Sequence, residues 1–372
     1  MKIIILGTAY PYRGGLAAFN ERLARQFMAE GHDVEIMTFT LQYPDFLFPG
    51  KTQYSDEPAP ADLRITRVMN SVNPFSWIKA GKLIRKKKAD LLIIKFWIPL
   101  MAPCLGTIAR IAKRAGTKVV SILDNVIPHE KRPLDKLLVK YFINSVDRFV
   151  AMSDSVLNDL RLFTKNKPAQ LCPHPLYDNF GKLMPKNEAR RKLQISEKQI
   201  VLLFFGFIRD YKGLDLLMQA YADERINKSE VRLVVAGEFY NNSQKYTDLE
   251  KQLGLEGKID WRTTFIPDSA VADYFSAADL IVQPYKSATQ SGVTQIAYHF
   301  GKPMLVTNVG GLAEIVPDGK VGYVVGVDAK QVADAIVDFC GRDVECFKDG
   351  IAEEKKKYEW SRMTAAVLKT ND

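Results

Sequence analysis

Cysteine is scarce, with four in 372 residues (Cys104, Cys172, Cys340, Cys346). So few in so long a chain form no disulfide framework, and without a C-x-x-C pair neither a zinc site nor a redox dithiol is indicated. A reducing compartment follows, and the chain is expected in the cytoplasm. Long uninterrupted apolar runs are missing too. The first, Ile3–Leu6, is too short for the hydrophobic region of a signal peptide and reads as a buried strand. The longest, residues 91–109 (LLIIKFWIPLMAPCLGTIA), has the length to span a bilayer but is interrupted by Lys95, Pro99 and Pro103. It reads as a strand Leu91–Trp97, a proline turn and a helix from about Met101, with Lys118–Leu123 supplying the next strand. No internal repeat and no low-complexity tract is visible, which removes solenoids and arrays.

What the sequence does have is apolar content: 47% hydrophobic residues support large buried cores, so disordered, collagen-like and fibrous readings fail. The length fits two domains, or one large one. Short apolar runs alternate with amphipathic stretches throughout. In the first half they are Ile3–Leu6, Val34–Phe39, Leu91–Trp97, Val119–Leu123 and Phe149–Met152; in the second, Ile200–Phe205, Val231–Ala236, Leu280–Gln283 and Met304–Thr307. Runs this apolar belong to parallel strands covered on both faces, so the class is α/β with doubly wound parallel sheets. Leu16, Phe19, Leu23 and Phe27 recur at helical spacing, with Gly31 where a C-terminal cap belongs.

The alternation breaks over residues 173–196, where three prolines and a charged cluster place an interdomain hinge. The expected division is residues 1–180, residues 181–356, and a final amphipathic stretch, 357–372, that returns to the first domain. Charge is unevenly divided. Residues 1–180 carry 26 Lys and Arg against 16 Asp and Glu, while the remainder is nearly neutral. Between Phe75 and Lys118 stand 11 basic residues, Lys95 among them, and the single acid Asp90. Such a face attracts anionic lipid, phosphate-bearing acceptors or nucleic acid, and is also an ordinary solvated helix face. No aromatic-interleaved motif or zinc module accompanies the charge, which sets nucleic acid aside as a partner. With Trp77 and Ile78 beside it, the region suggests peripheral contact with an anionic membrane surface on its inner face.

Two loops carry candidate chemistry. After the first strand, residues 8–15 (TAYPYRGG) end on Gly14 and Gly15 before a helix, where backbone N–H groups can approach an anion; the same pair also makes an ordinary tight turn. At the opening of the second half, residues 205–214 (FGFIRDYKGL) place Arg209 and Lys212 three apart after Gly206, between a strand and a helix. There they are placed to meet a diphosphate at the carboxyl end of a sheet. Downstream come residues 278–285 (ADLIVQPY), Ser291-Gly292, Gly301-Lys302-Pro303, residues 307–314 (TNVGGLAE) and Asp318-Gly319.

In this order the motifs resemble glycosyltransferase family 4, a group of retaining, GT-B-fold enzymes, and the likeness runs over nearly the whole chain. It implies a GT-B fold, two Rossmann-like domains facing a cleft, the first binding the acceptor and the second a nucleotide-sugar donor. It implies transfer of a sugar from a UDP- or GDP-sugar to a hydroxyl of a carbohydrate or lipid-linked acceptor, in surface polysaccharide or glycolipid synthesis. It further implies that Arg209 and Lys212 compensate the leaving diphosphate without metal or other cofactor. The charge gathered on the leaving group makes preorganised cations useful there, and no D-x-D sequence supplies the usual ligands of a bridging divalent ion. Gly14, Gly15, Gly206, Gly310, Gly311 and Glu314 then fall among donor contacts, although Glu314 near a helix start is also explained by the helix dipole.

The sequence departs from the family in two places. The paired glutamates expected before Gly301 are absent, and residues 285–298 contain no carboxylate; Gln290, Ser291, Gly292 and Gln295 stand as the replacements that hydrogen-bond sugar and ribose hydroxyls. The histidine expected near the end of the strand 119–123 is replaced by Asp124, with His129 and Glu130 following in the same loop. A carboxylate facing an anomeric carbon can stabilise oxocarbenium-like charge or bind acceptor hydroxyls, so Asp124 and His129 join the catalytic candidates. The missing glutamates keep a rival open, a catalytically silent sugar-nucleotide-binding homologue. An epimerase or phosphorylase on the same fold is a further alternative.

Overall fold

The computed structural model describes residues 1–44, 52–128, 133–227, 229–240, 243–288 and 291–369. The chain forms two compact units. Unit one holds Met1–His174 and the chain from Trp360; unit two holds Pro175–Glu359. The structure thus changes unit after His174 and again after Glu359, rather than after residues 180 and 356.

Unit one is built on seven parallel strands, β1 (Lys2–Leu6), β2 (Asp33–Leu41), β3 (Ile65–Asn70), β4 (Leu91–Phe96), β5 (Lys118–Leu123), β6 (Arg148–Ala151) and β7 (Ala169–Leu171), in the order β3-β2-β1-β4-β5-β6-β7. Successive side chains on β1 point to opposite faces. Ile4 and Leu6 join the cluster that holds Met101, Leu105 and Phe142, while Ile3 and Ile5 join Phe19, Leu23, Phe27 and Trp360. The second cluster is closed by the helices Gly15–Ala29 and Trp360–Leu368. The membrane-length run resolves into β4, a 3-10 turn Pro99–Met101 and the helix Ala102–Lys113. Among the described residues no helix is long and apolar enough to cross a membrane.

Unit two has six parallel strands, β8 (Ile200–Phe205), β9 (Val231–Ala236), β10 (Ile259–Arg262), β11 (Leu280–Gln283), β12 (Met304–Thr307) and β13 (Gly322–Val325), in the order β10-β9-β8-β11-β12-β13. In each sheet the winding reverses once, between β1 and β4 and between β8 and β11. Crevices for ligands open at the carboxyl ends of strands at such points.

The charged stretch after Pro175 is not a loose linker. Residues Lys186–Lys192 form a helix whose Arg190, 1% exposed, donates to the carbonyls of Ala277, Ser196 and Glu197 and to Asp279. A buried guanidinium needs all its donors used, and here they lock the segment onto unit two. His174, expected in the hinge, packs edge-on against Phe19, 5.2 Å between ring centroids. Two residues expected on the basic surface also move inward. Lys95 is 2% exposed, and Trp77 is half-buried with its indole N–H donating to the Asn70 carbonyl.

Candidate active site

The most developed cluster lies in unit two at the carboxyl end of β8. Gly206 leaves the strand at φ 91°. After Ile208, which bridges to Phe239, the chain makes one 3-10 turn, Asp210–Lys212, and enters the helix Leu214–Tyr221 through Gly213 at φ 69°. Positive φ favours glycine at both positions, and close approach to backbone requires it at Gly213. A Cβ on Gly213 would stand 1.9 Å from the Pro284 carbonyl oxygen, and one on Gly206 3.1 Å from Lys212 Nζ. The lysine therefore folds back over the bare backbone of Gly206.

Lys212 is 9% exposed, and burial, reinforced by Arg209, lowers its pKa from 10.5 to about 8. The Arg209 guanidinium carbon lies over the Tyr240 ring, 3.7 Å from its centroid. No carboxylate among the described residues pairs with either cation. The acids beside them are engaged elsewhere: Asp210 with Lys245 and Tyr246, Asp215 with Lys286 and Lys245. Two adjacent, partly desolvated cations without an anion make a site of strong positive potential. Gly206 also borders a cavity of about 140 Å³ lined by Phe180, Phe205, Phe207, Phe265, Ile266 and Val271, with Glu238 and Asp268 at the same wall. An apolar cavity that shares Gly206 with the cation-bearing loop suits a molecule with an aromatic ring at one end and phosphates at the other.

After β11, Ser291 is tied into the fold by its side chain. Ser291 Oγ donates to Gln283 Oε1 at 2.6 Å and accepts from the Val293 amide, capping the helix Gly292–His299. Gly292 lets the helix start against the Tyr177 ring, which a Cβ would meet at 2.9 Å. Gln295 is completely buried, and both its amide oxygen and nitrogen lack partners among the described residues. After β12, Gly310 (φ 52°) and Gly311 lead into one helical turn, Leu312–Ile315, which carries Glu314 on the exposed surface.

In unit one, Gly14 (φ 98°) and Gly15 open the helix Gly15–Ala29 beyond β1. Asp124 stands just past β5, its amide donating to the Phe96 carbonyl, and its carboxylate pairs with Lys95 at 2.8 Å. Burial pushes the Asp124 carboxyl up and the Lys95 ammonium down, each partly offset by the other. The structure thus brings Gly206, Arg209 and Lys212 together at one sheet switch point. It sets Ser291, Gly292, Gln295, Gly310, Gly311 and Glu314 on the next two strands' loops, and Asp124, Gly14 and Gly15 on the other sheet. His129, Glu130 and Gln290 lie outside the described residues. Sequence reasoning missed Lys95 as a partner of Asp124, though a single charge inside the run LLIIKF was a signal, and missed Tyr240 beneath Arg209.

The second half of the chain, residues 185–342, matches the family described as Glycosyl transferases group 1, and residues 13–175 match Glycosyltransferase Family 4. The chain belongs to glycosyltransferase family 4. The chain is 30% identical to D-inositol 3-phosphate glycosyltransferase of Kribbella flavida over 63% of its length and 56% of that protein's, so the match spans little more than half of that relative. N-acetyl-alpha-D-glucosaminyl L-malate synthase of Bacillus anthracis is 24% identical over 91% of this chain and 87% of that one. Among solved structures, Anabaena HepE in complex with UDP superposes with a TM-score of 0.72 at 16% identity, covering 99% of this chain and 98% of that one. The family is one of glycosyltransferases, and the two parallel-sheet units are those of its GT-B fold.

Proposed function

We propose that this family 4 member transfers a sugar, with retention, from a UDP- or GDP-sugar to an acceptor hydroxyl, and that it does so without a metal ion. The observation that carries the reading is the unpaired couple Arg209 and Lys212 at the switch point of the second sheet. Unit two takes the donor, its base in the phenylalanine-lined cavity and its diphosphate on the two cations. As the glycosidic C–O bond breaks, negative charge grows on the diphosphate, and cations already desolvated and oriented stabilise it without reorganisation. A leaving phosphate oxygen takes the acceptor proton as the acceptor oxygen bonds to the anomeric carbon on the same face. Gln295, buried with its amide unpartnered among the described residues, is the strongest of the candidates for sugar or ribose hydroxyls in place of the missing glutamates. Asp124 in unit one meets the acceptor hydroxyl.

The test is a screen of the purified chain against UDP- and GDP-sugars, reading nucleoside diphosphate release and the anomeric configuration of the product. Release with retention supports the reading. A donor that binds and is recovered intact, with no transfer and no hydrolysis under any acceptor, establishes the silent homologue instead, which the carboxylate-free stretch 285–298 favours.

A glycolipid or surface-polysaccharide acceptor fits one further observation. On the helix Pro74–Lys87, Phe75 is 83% exposed beside exposed Val72 and Ile78, with Lys79, Lys82, Arg85 and Lys86 on the surface after them. Apolar side chains next to a row of cations suit the headgroup region of an anionic bilayer. Co-sedimentation with vesicles should be stronger for anionic than for neutral lipid at low salt and weaker for Phe75→Asp; no lipid preference contradicts it.

A further inference from the structure

Lys95 is the only charge in β4, and 2% of it is exposed. Among the described residues it meets two groups, Asp124 Oδ1 at 2.8 Å and the face of Phe19, 3.4 Å from the ring centroid. Burying an ion pair carries a desolvation penalty that an apolar side chain of similar volume would avoid, so stability alone gives little reason for an ammonium here. An apolar residue would not, however, fix the carboxylate. Asp124 has its backbone tied to Phe96 and its Oδ1 tied to Lys95, while Oδ2 makes no hydrogen bond with any described residue and the side chain remains 19% exposed. One oxygen is thus held by the protein and the other is left to solvent, at the carboxyl end of a strand beside the sheet's switch point.

We propose that Lys95 is a positioning residue for sugar transfer: by holding Oδ1 it presents Oδ2 of the Asp124 carboxylate to accept a hydrogen bond from the acceptor hydroxyl. This rests on the reading of Asp124 given above. In the step, the hydroxyl oxygen bonds to the anomeric carbon, the bond from that carbon to the diphosphate oxygen breaks, and the hydroxyl proton goes to the departing diphosphate. Asp124 orients the hydroxyl and is unchanged at the end. The face of Phe19, 3.4 Å from Lys95 Nζ to the ring centroid, covers the ammonium as well.

Among the described residues the groups facing the pair are few. From the helix Gly15–Ala29 comes Phe19, with Arg22 lying beyond it over Trp360 at 5.1 Å; from the unit boundary comes His174 against the Phe19 ring; from the last helix, Trp360 itself packs on Phe19. Lys95 and Asp124 are each perturbed by the other and by burial, and by no other described charge. Among the described residues Lys95 is the one influence that favours the ionised carboxylate, so removing it should raise the pH at which Asp124 titrates.

Two measurements on the full chain test this, the NMR titration of the Asp124 side-chain carboxyl without substrate, and the pH profile of nucleoside diphosphate release from whichever UDP- or GDP-sugar turns over. The resonance is identified by its loss in Asp124→Asn. In Lys95→Met the titration and the acid limb of kcat/KM should both move up in pH by at least one unit. Above the limb kcat should fall at least tenfold, with the donor KM within twofold of wild type, and Lys95→Arg should restore the limb. If the methionine variant does not fold, Lys95→Gln, which keeps a donor without charge, should still move the titration and the limb up in pH, with a smaller loss of kcat. A folded Lys95 variant with unmoved titration and limb overturns the proposal while leaving Asp124 in place. A limb that shifts in His174→Gln instead assigns the titration to that histidine and also overturns it. Full activity in Asp124→Asn overturns the reading of Asp124 itself, a separate failure.

Discussion

Replacing Lys212 by methionine should make the unliganded protein more stable and the enzyme nearly inactive. The wild-type ammonium is buried over Gly206 with no anion among the described residues, and its pKa falls from 10.5 to about 8. That depression corresponds to about 3 kcal/mol of penalty on the charged form. Methionine keeps most of the volume and removes the penalty. Because the lysine head can turn toward water when the site is empty, we expect a gain of about 1–3 kcal/mol at neutral pH. For a chain divided into units of this size that is a rise of about 2–4 °C in Tm per kcal/mol. The sign depends on pH. Below pH 8 lysine is charged in both folded and unfolded chains and the full penalty applies. Between about 8 and 10.5 it loses its proton first in the folded state, so wild type gains stability relative to the variant and the difference closes. Adding a nucleoside diphosphate reverses the order at neutral pH, since only wild type gains its second cation contact. Differential scanning calorimetry of both proteins at pH 7 and pH 10, with and without UDP and GDP, measures all of this. A variant less stable than wild type at pH 7, or one stabilised equally by nucleotide, would refute the idea that Lys212 is held unpaired for an anion.

Other consequences are simpler. Gly206→Ala places a methyl group at φ 91° and 3.1 Å from Lys212 Nζ, which should destabilise by about 1–3 kcal/mol and lower kcat by displacing the lysine, both measurable in one preparation. Arg190→Ala removes the buried cation of Asp279, leaving that carboxylate with Lys186 and the Val201 amide, and takes the donor from three carbonyls inside unit two. It should cost about 3–5 kcal/mol in denaturant titration, with no change in donor specificity in whatever remains folded. Incubation with EDTA should leave the transfer rate within twofold of the untreated enzyme; a rate that collapses and returns with Mg²⁺ or Mn²⁺ contradicts metal independence.

The strands visible in the sequence were those buried on both faces. All nine runs read as strands lie in the two sheets, and the ones overlooked, β3, β7, β10 and β13, are the four sheet edges. Their sequences explain why: charges interrupt ITRVMN and IDWR, and AQL and GYVV are short. An edge strand pairs on one side only and does not need an unbroken apolar run. The same asymmetry governs the site. Arg209 and Lys212 were legible because glycines bracket them after an apolar strand. Lys95 was counted with the surface cations because its partner stands 29 residues away, and only the parallel register of β4 and β5 sets the two side by side. Composition likewise could not tell that Arg190 is interior while its neighbours Arg191 and Lys192 are exposed.

The central claim is that two cations at the end of β8 stabilise a departing diphosphate. Initial rates of the purified enzyme with Arg209→Ala and Lys212→Ala, over the whole range of UDP- and GDP-sugars accepted by wild type, test it most directly. Loss of a preorganised charge on the leaving group predicts kcat lower by about 10²–10³ in each variant for every donor, with the protein folded. Transfer at wild-type rates from any of those donors in both variants would contradict the account.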